Sequence, residues 1–179
     1  MSSIAVGKKV PDFSLPATGG KDVRLSALRG KRVVLYFYPK DDTPGCTLEG
    51  RDFNTHYAKF TRKGAVILGV SRDNLKSHAK FCDKFGFKFD LLSDEDEKVC
   101  SLFGVMKEKN MYGKKVWGIE RSTFLIGPDG VLVHEWRKVQ VQGHAEEVLA
   151  AVAGPAKRKP AAKKRAAKKK GPAARSKIR

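Results

Sequence analysis

Of the three cysteines in this 179-residue chain, Cys46 stands where nucleophilic chemistry is easiest to arrange. It closes the run Pro39-Lys40-Asp41-Asp42-Thr43-Pro44-Gly45-Cys46, which follows an apolar and aromatic block, 33–38. That block is short, β-branched and aromatic and is stopped by Pro39, the pattern of a buried strand. Beyond Cys46, Leu48, Phe53, Tyr57 and Phe60 recur at helical spacings. A helix is therefore predicted to about Arg62, with Thr43 as N-cap and Pro44 at the first helical position. Cys46 then falls in the first turn of a helix, just off the end of a central strand. Unpaired backbone N–H groups and the helix dipole favour an anion there, and the thiolate is the nucleophilic form of cysteine. The Thr43 hydroxyl, three residues earlier, is expected to reach the sulfur or an oxygen beside it. The alternative is a buried, inert Cys46 that only packs. A Cys-x-x-Cys pair for disulfide exchange is excluded, because Thr43 holds its first position.

The rest of the chain must position that turn. Val10, Phe13 and Leu15 alternate loosely, 18–22 reads as a turn, Val23 and Leu25 as a second strand, and 26–30 as one helical turn ended by Gly30. Gly64 ends the helix that carries Cys46, and 65–71 is a second continuous apolar strand. Two such strands joined by a helix imply parallel pairing with both faces covered. A helix over 75–85 follows, capped by Asp73 or Ser71 and ended by Gly86, with Leu75, Ala79 and Cys82 on one apolar stripe. Next come a short strand, 89–92, and a short helix, 95–102. The acidic run Asp94-Glu95-Asp96-Glu97 suits that helix's N-terminus. Residues 107–118 read as a solvated loop. Residues 122–126 and 131–136 form an antiparallel hairpin around Gly127-Pro128-Asp129-Gly130, and a helix over 144–153 closes the body, with Val148, Leu149 and Val152 on one side.

Pro39-x-x-x-Thr43-x-x-Cys46 after an apolar strand resembles the active-site motif of peroxiredoxins. The stretch from Phe37 to Thr47 is similar to the PrxQ branch, also called bacterioferritin comigratory protein. Pro11-Asp12-Phe13, Gly69-Val70-Ser71 and Arg121-Ser122-Thr123-Phe124-Leu125-Ile126 fall where that family has similar segments. The resemblance runs from residue 4 to about 153 and leaves out the C-terminal tail. It implies a thioredoxin-like α/β fold with a central mixed sheet flanked by helices. It implies a thiol peroxidase acting on hydrogen peroxide and organic hydroperoxides, in which Cys46, as peroxidatic cysteine, becomes a sulfenic acid. Thr43 would hold the sulfur and the peroxide oxygen, and Pro39 would shield the pocket. Arg121 would support the thiolate and polarise the peroxide; without the resemblance it reads as an exposed charge at a strand end. The resemblance further implies no haem, flavin or metal, recycling by thioredoxin or a similar dithiol, and a monomer.

Many PrxQ-like proteins carry a second cysteine five residues after the first; here that position is Arg51. Others carry it on the helix that contains Cys82, so the resemblance makes Cys82 the resolving cysteine. Taken by itself, Cys82 reads equally as part of an apolar stripe. Cys100, in Val99-Cys100-Ser101-Leu102-Phe103, reads as a packed core residue with a lesser claim to the resolving role, and an external thiol acting on Cys46 remains a third option. A Cys46–Cys82 bond would need Cα atoms within about 7 Å, so local unfolding of both helices is expected after oxidation. His56, His78, His134 and His144 show no spacing that suggests a metal site.

Composition divides the chain at about residue 154. Residues 155–179 hold 12 of the 37 basic residues and none of the 19 acidic ones, which leaves +6 of the formal +18 in residues 1–154. A body of that size buries a normal single-domain core. The odd cysteine count, the lack of a secretory signal pattern and the lack of a long apolar run predict a cytoplasmic protein with no membrane partner. The tail, with Lys157, Arg158, Lys159, Lys163, Lys164, Arg165, Lys168, Lys169 and Lys170 among Ala and Pro, is predicted to be disordered. It resembles the tails of linker-histone-like proteins and predicts DNA binding through phosphates without base readout. That gives a nucleoid-associated location, or a nuclear one in a eukaryote. A solubilising tail and an acidic protein partner are the bland alternatives. The competing functional reading is a DNA-associated protein on the same scaffold, with peroxidase activity secondary.

Overall fold

The apolar run 33–38 lands in the middle of a seven-stranded mixed sheet as β3 (Arg32–Phe37). The structure, a computed structural model, describes residues 4–153. Ahead of β3 lie β1 (Ser14–Ala17), β2 (Lys21–Arg24) and a 3-10 turn, Leu25–Leu28. After it come α1 (Pro44–Thr55), α2 (Tyr57–Arg62), β4 (Ala65–Ser71), α3 (Leu75–Phe85), β5 (Asp90–Ser93) and α4 (Lys98–Leu102). The hairpin strands β6 (Met106–Met111) and β7 (Lys114–Ile119) precede β8 (Ser122–Ile126), β9 (Leu132–Arg137) and α5 (His144–Ala153). The large sheet runs β2-β1-β5-β4-β3-β8-β9. β3, β4 and β5 are parallel, and β8 runs antiparallel beside β3. This is the thioredoxin-like arrangement expected.

Successive residues of a strand point to opposite faces, and β3 feeds two core layers. Val33, Leu35 and Phe37 join Leu68, Val70, Phe103 and Phe124 on one side. Val34, Tyr36 and Tyr38 join Cys46, Phe53, Phe81 and Val148 on the other. Each such side chain contributes roughly 1.5–3 kcal/mol on burial, which explains why the block needs no polar residue. Tyr36 seats α1 on the sheet: its ring stacks on Phe53 at 4.7 Å and lies over Gly69, where a Cβ would meet Tyr36 Cζ at 2.9 Å.

Several local expectations are corrected. The helix expected to reach Arg62 breaks at His56, whose N–H bonds back to Asp52 O, and resumes as α2. Thr43 holds the N-cap position of α1 without a side-chain cap. Asn74, not Asp73 or Ser71, caps α3 by accepting from Ser77 N at 2.8 Å. The buried row of α3 is His78 and Phe81, while Leu75 is exposed and Cys82 half-buried. α4 starts later than expected, because Glu97 adopts a left-handed backbone; of the acidic run, Asp94 meets the helix, accepting from Cys100 N at 2.7 Å. The loop expected over 107–118 is the β6–β7 hairpin, turned by Tyr112 and Gly113, both at positive φ. Positive φ at both central residues is the type I′ geometry of a two-residue hairpin. The expectations for residues 155–179 lie outside the described residues. No described helix is long and apolar enough to cross a membrane.

Candidate active site

Cys46 is the third residue of α1, in the turn whose N–H groups have no intrahelical acceptor. It is 2% exposed. The cation beside it comes from far along the chain by sheet register. β8 pairs with β3 so that Ser122 faces Phe37, which sets Arg121 at the end of β3 where the chain turns into α1. Val139 N donates to Arg121 O and fixes the backbone there. One guanidinium nitrogen, Nη2, donates to Cys46 Sγ at 3.5 Å, and the other, Nη1, donates to Glu49 Oε1 at 2.6 Å. Glu49 lies one turn after Cys46 on the same face of α1 and is 1% exposed. Gly45 leaves room for the fork, since a Cβ there would stand 3.0 Å from Arg121 Nη2.

Burial pushes the Glu49 carboxyl from 4.5 up to about 7, and the Arg121 guanidinium beside it offsets only part of that rise. Burial also works against the charge on Arg121, but Glu49 and Cys46 more than compensate and hold its pKa above the ordinary value. Arg121 is thus a cation held between the Cys46 sulfur and a carboxyl that burial makes costly to ionise. Oε2 of Glu49 is buried without a partner among the described residues. A second cation, Lys109 on β6, is lowered by burial and then by Arg121, while Cys46 acts on it in the opposite direction. The hairpin that sequence reasoning read as a solvated loop thus brings a half-buried lysine within electrostatic reach of the thiol.

The other expected residues divide clearly. Thr43 stands beside the turn, but its hydroxyl donates to Lys40 O at 2.8 Å and not to the sulfur. Pro39 is half-buried and stands two residues after the end of β3. Cys82 lies on α3 and packs against the same core layer as Cys46. Burial pushes its thiol up to about 11, with Thr18 pulling the other way. Cys100 belongs to the opposite core layer, across the sheet, and burial pushes its thiol up further. All three cysteines are free thiols. Glu49 was missed by the sequence reading, although an acid three residues after a helical nucleophile was available as a signal. The described residues contain no cluster of three or more His, Cys, Asp or Glu suited to a metal ion.

A family model described as AhpC/TSA matches residues 6–135. The peroxiredoxin Bcp of Xanthomonas campestris is 58% identical over 147 residues, which cover 82% of this chain and 92% of that protein. A solved structure of the bacterioferritin comigratory protein of X. campestris, concerned with its alkyl peroxide reduction activity, superposes with a TM-score of 0.78 at 54% identity, covering 83% of this chain and 98% of that one. Peroxiredoxin Q of X. campestris has also been solved as two single Cys-to-Ser variants. Each has a TM-score of 0.78 at 55% identity and covers 83% of this chain and 96 or 97% of its own. Their substituted cysteines are separated by the same length of chain as Cys46 and Cys82.

Proposed function

This chain belongs to the AhpC/TSA family, as a peroxiredoxin of the Bcp/PrxQ type and thus a thiol-dependent oxidoreductase, and we propose that it reduces alkyl hydroperoxides and hydrogen peroxide through Cys46 and Cys82. The observation that carries the reading is the Arg121 fork, which bonds Cys46 Sγ and Glu49 together at the N-terminus of α1.

The Cys46 thiolate attacks the terminal oxygen of the hydroperoxide. The S–O bond forms and the O–O bond breaks. The alkoxide leaves with the electron pair and takes up a proton to become an alcohol, or water from hydrogen peroxide. Arg121, already a donor to the sulfur, stabilises the negative charge as it moves from sulfur to oxygen. Thr43, its own hydrogen engaged by Lys40 O, offers an oxygen lone pair to the O–H of the peroxide. Pro39 limits access of water to the turn. Cys82 then gives up its proton and attacks the Cys46 sulfur; the S–S bond forms, the S–O bond breaks, and hydroxide leaves as water with that proton. A dithiol of the thioredoxin kind restores both thiols and ends as a disulfide itself.

Peptide mass mapping after one equivalent of hydrogen peroxide, with free thiols blocked at quench, tests the cycle. A Cys46–Cys82 disulfide is expected. Sulfenic acid on Cys46 with Cys82 free would make it a one-cysteine enzyme, and an unmodified Cys46 would sink the peroxidase role of that residue. The cation-rich residues 155–179 support a tether to DNA that places this activity in the cytoplasm near the nucleoid. Removing everything after Gly154 should abolish DNA retention and leave peroxide turnover unchanged. With about six phosphates engaged, log affinity should fall with log salt at a slope near −5; a slope near zero would end the tether reading.

A further inference from the structure

The loop that carries the Cys46 turn is fastened to the helix that carries Cys82 by a buried polar pair with no part in the chemistry above. Asp41 is 7% exposed and His78, on α3, is fully buried. His78 Nδ1 lies 2.7 Å from Asp41 Oδ2, and His78 Nε2 lies 2.9 Å from Leu92 O on β5. Both ring nitrogens face oxygen atoms within hydrogen-bond distance. Tyr38, the residue that follows β3, donates to Asp41 Oδ1 at 2.6 Å, and Ser77 Oγ donates to Asp41 Oδ2 at 2.8 Å. The backbone of Asp41 is held too: its N–H donates to Asp73 Oδ2, which also accepts from Ser71 Oγ. Asp41 thus ties β3, the segment after β4, and α3 to one point, five residues before Cys46. The neighbouring Asp42–Lys84 pair spans the same gap but is exposed, and exposed pairs contribute little.

We propose that the Asp41–His78 pair is a latch that holds the Cys46 loop and the Cys82 helix together while peroxide reacts, and whose release sets the rate at which the two sulfurs join. Breaking one partner of a buried pair is costly because the other is left uncompensated. The closed arrangement is therefore held firmly while the pair is intact, and opening α3 frees the thiol of Cys82 together with the helix. Asp41 and His78 act as positioning residues; neither touches the sulfur of Cys46 or the peroxide. The bond-making step is the one given above: Cys82 attacks the sulfenic sulfur and water leaves.

The inference rests on the two-cysteine cycle, and rapid mixing with hydrogen peroxide separates the two. The peroxide-dependent phase reports Cys46 oxidation, and the peroxide-independent phase that follows reports disulfide formation. His78→Gln keeps an amide donor toward Leu92 O and loses the one toward Asp41; His78→Asn does the reverse. H78Q is expected to speed the second phase at least ~5-fold, to raise alkylation of Cys82 in the reduced protein to the same degree, and to leave the first phase within ~2-fold. H78N should return the second phase most of the way to the native rate, and Lys84→Ala should leave it unchanged. If H78Q does not fold, Asp41→Ala removes the carboxylate that His78 faces and carries the same expectations for the second phase and for Cys82 alkylation. A second phase that is unchanged or slower in the folded variant, or first and second phases falling together, would overturn the latch. A native protein that forms no disulfide would instead overturn the cycle beneath it.

Discussion

Replacing Glu49 with Gln keeps its shape and removes the charge that holds Arg121, and it should act on stability and rate in ways tied to the same titration. Burial raises the carboxyl from 4.5 to about 7. A carboxyl raised on folding stabilises the native state at low pH, in full below 4.5, and that stability is lost as pH rises through about 7. Each tenfold change in proton affinity is worth ~1.4 kcal/mol, so the full window amounts to about 3 kcal/mol. Urea melts should therefore show E49Q gaining on the native protein by roughly that amount between pH 4 and pH 8.5, whatever the offset between them at pH 4. The rate should move the other way. Above pH 7 the ionised Glu49 makes a charge-assisted bond of 2.6 Å to Arg121, worth roughly 1.5–3 kcal/mol. If that energy aims the fork at the sulfur and the departing oxygen, its loss corresponds to about 10- to 100-fold in the second-order rate of Cys46 oxidation at pH 8. Below pH 6 the native carboxyl is itself neutral, and the two proteins should converge to within a few-fold. The assay is competition for hydrogen peroxide against a reference thiol, read from pH 5.5 to 8.5. A ratio of native to E49Q rates that stays flat across that range, or stays near one at pH 8, would refute the reasoning.

Other perturbations test neighbouring parts of the molecule. Arg121→Lys keeps a charge but cannot reach both Glu49 and Cys46 as a planar fork; peroxide turnover should fall roughly 100-fold, about two increments of 1.4 kcal/mol, with circular dichroism unchanged. Gly50→Ala places a Cβ 2.5 Å from Phe87 Cζ, on a ring stacked against Phe89 at 5.2 Å, so it should cost about 1–3 kcal/mol in urea melts through overpacking. Cys100→Ala leaves both phases of the peroxide reaction within about two-fold, because it lies in the opposite core layer, and lowers stability by roughly 1–2 kcal/mol in the same melts.

What the sequence disclosed and what it withheld differ in range. The run 33–38 and the proline that stops it announce β3 to within a residue, because a fully buried strand has a composition of its own. The position of Cys46 in a helix's first turn follows from Thr43 and Pro44, and the motif around it carried Pro39, Thr43 and Arg121 through a family resemblance. Residues alone hid Arg121, since its place beside Cys46 depends on the pairing of Ser122 with Phe37. Asp41 and His78 were hidden for the same reason: a buried polar pair across elements leaves no period in the chain. The β6–β7 hairpin was missed because its strands are polar and largely exposed, so neither face shows an alternation. Its turn also uses Tyr112 where Asn or Asp would have signalled it. The break at His56 has no glycine or proline to mark it.

In the proposed cycle, the placement of the two sulfurs sets a conflict that the fold must resolve. Cys46 is buried, and Arg121 donates to its sulfur in surroundings where such contacts are strong. Cys82 is on another helix, with its thiol raised by burial to about 11 and hence a poor nucleophile while α3 stays closed. If apolar contact alone joined α3 to the Cys46 loop, opening would be graded and the site would leak. A buried pair changes this, because losing one bond leaves the partner unsatisfied and favours losing the rest together. The far end of α3 is tied differently: Asn54 of α1 donates to Gly86 O and accepts from Lys88 N, and Phe87 stacks between Phe85 and Phe89. Release at His78 would therefore open α3 from its N-terminal half while its C-terminal end stays anchored. That keeps Cys82 within reach of Cys46, whereas detachment of the whole helix would not. Hydrogen exchange should then rise first, after oxidation, at residues 78–82 and later at 85–88; the reverse order would place the opening at the aromatic end and deny the latch its role.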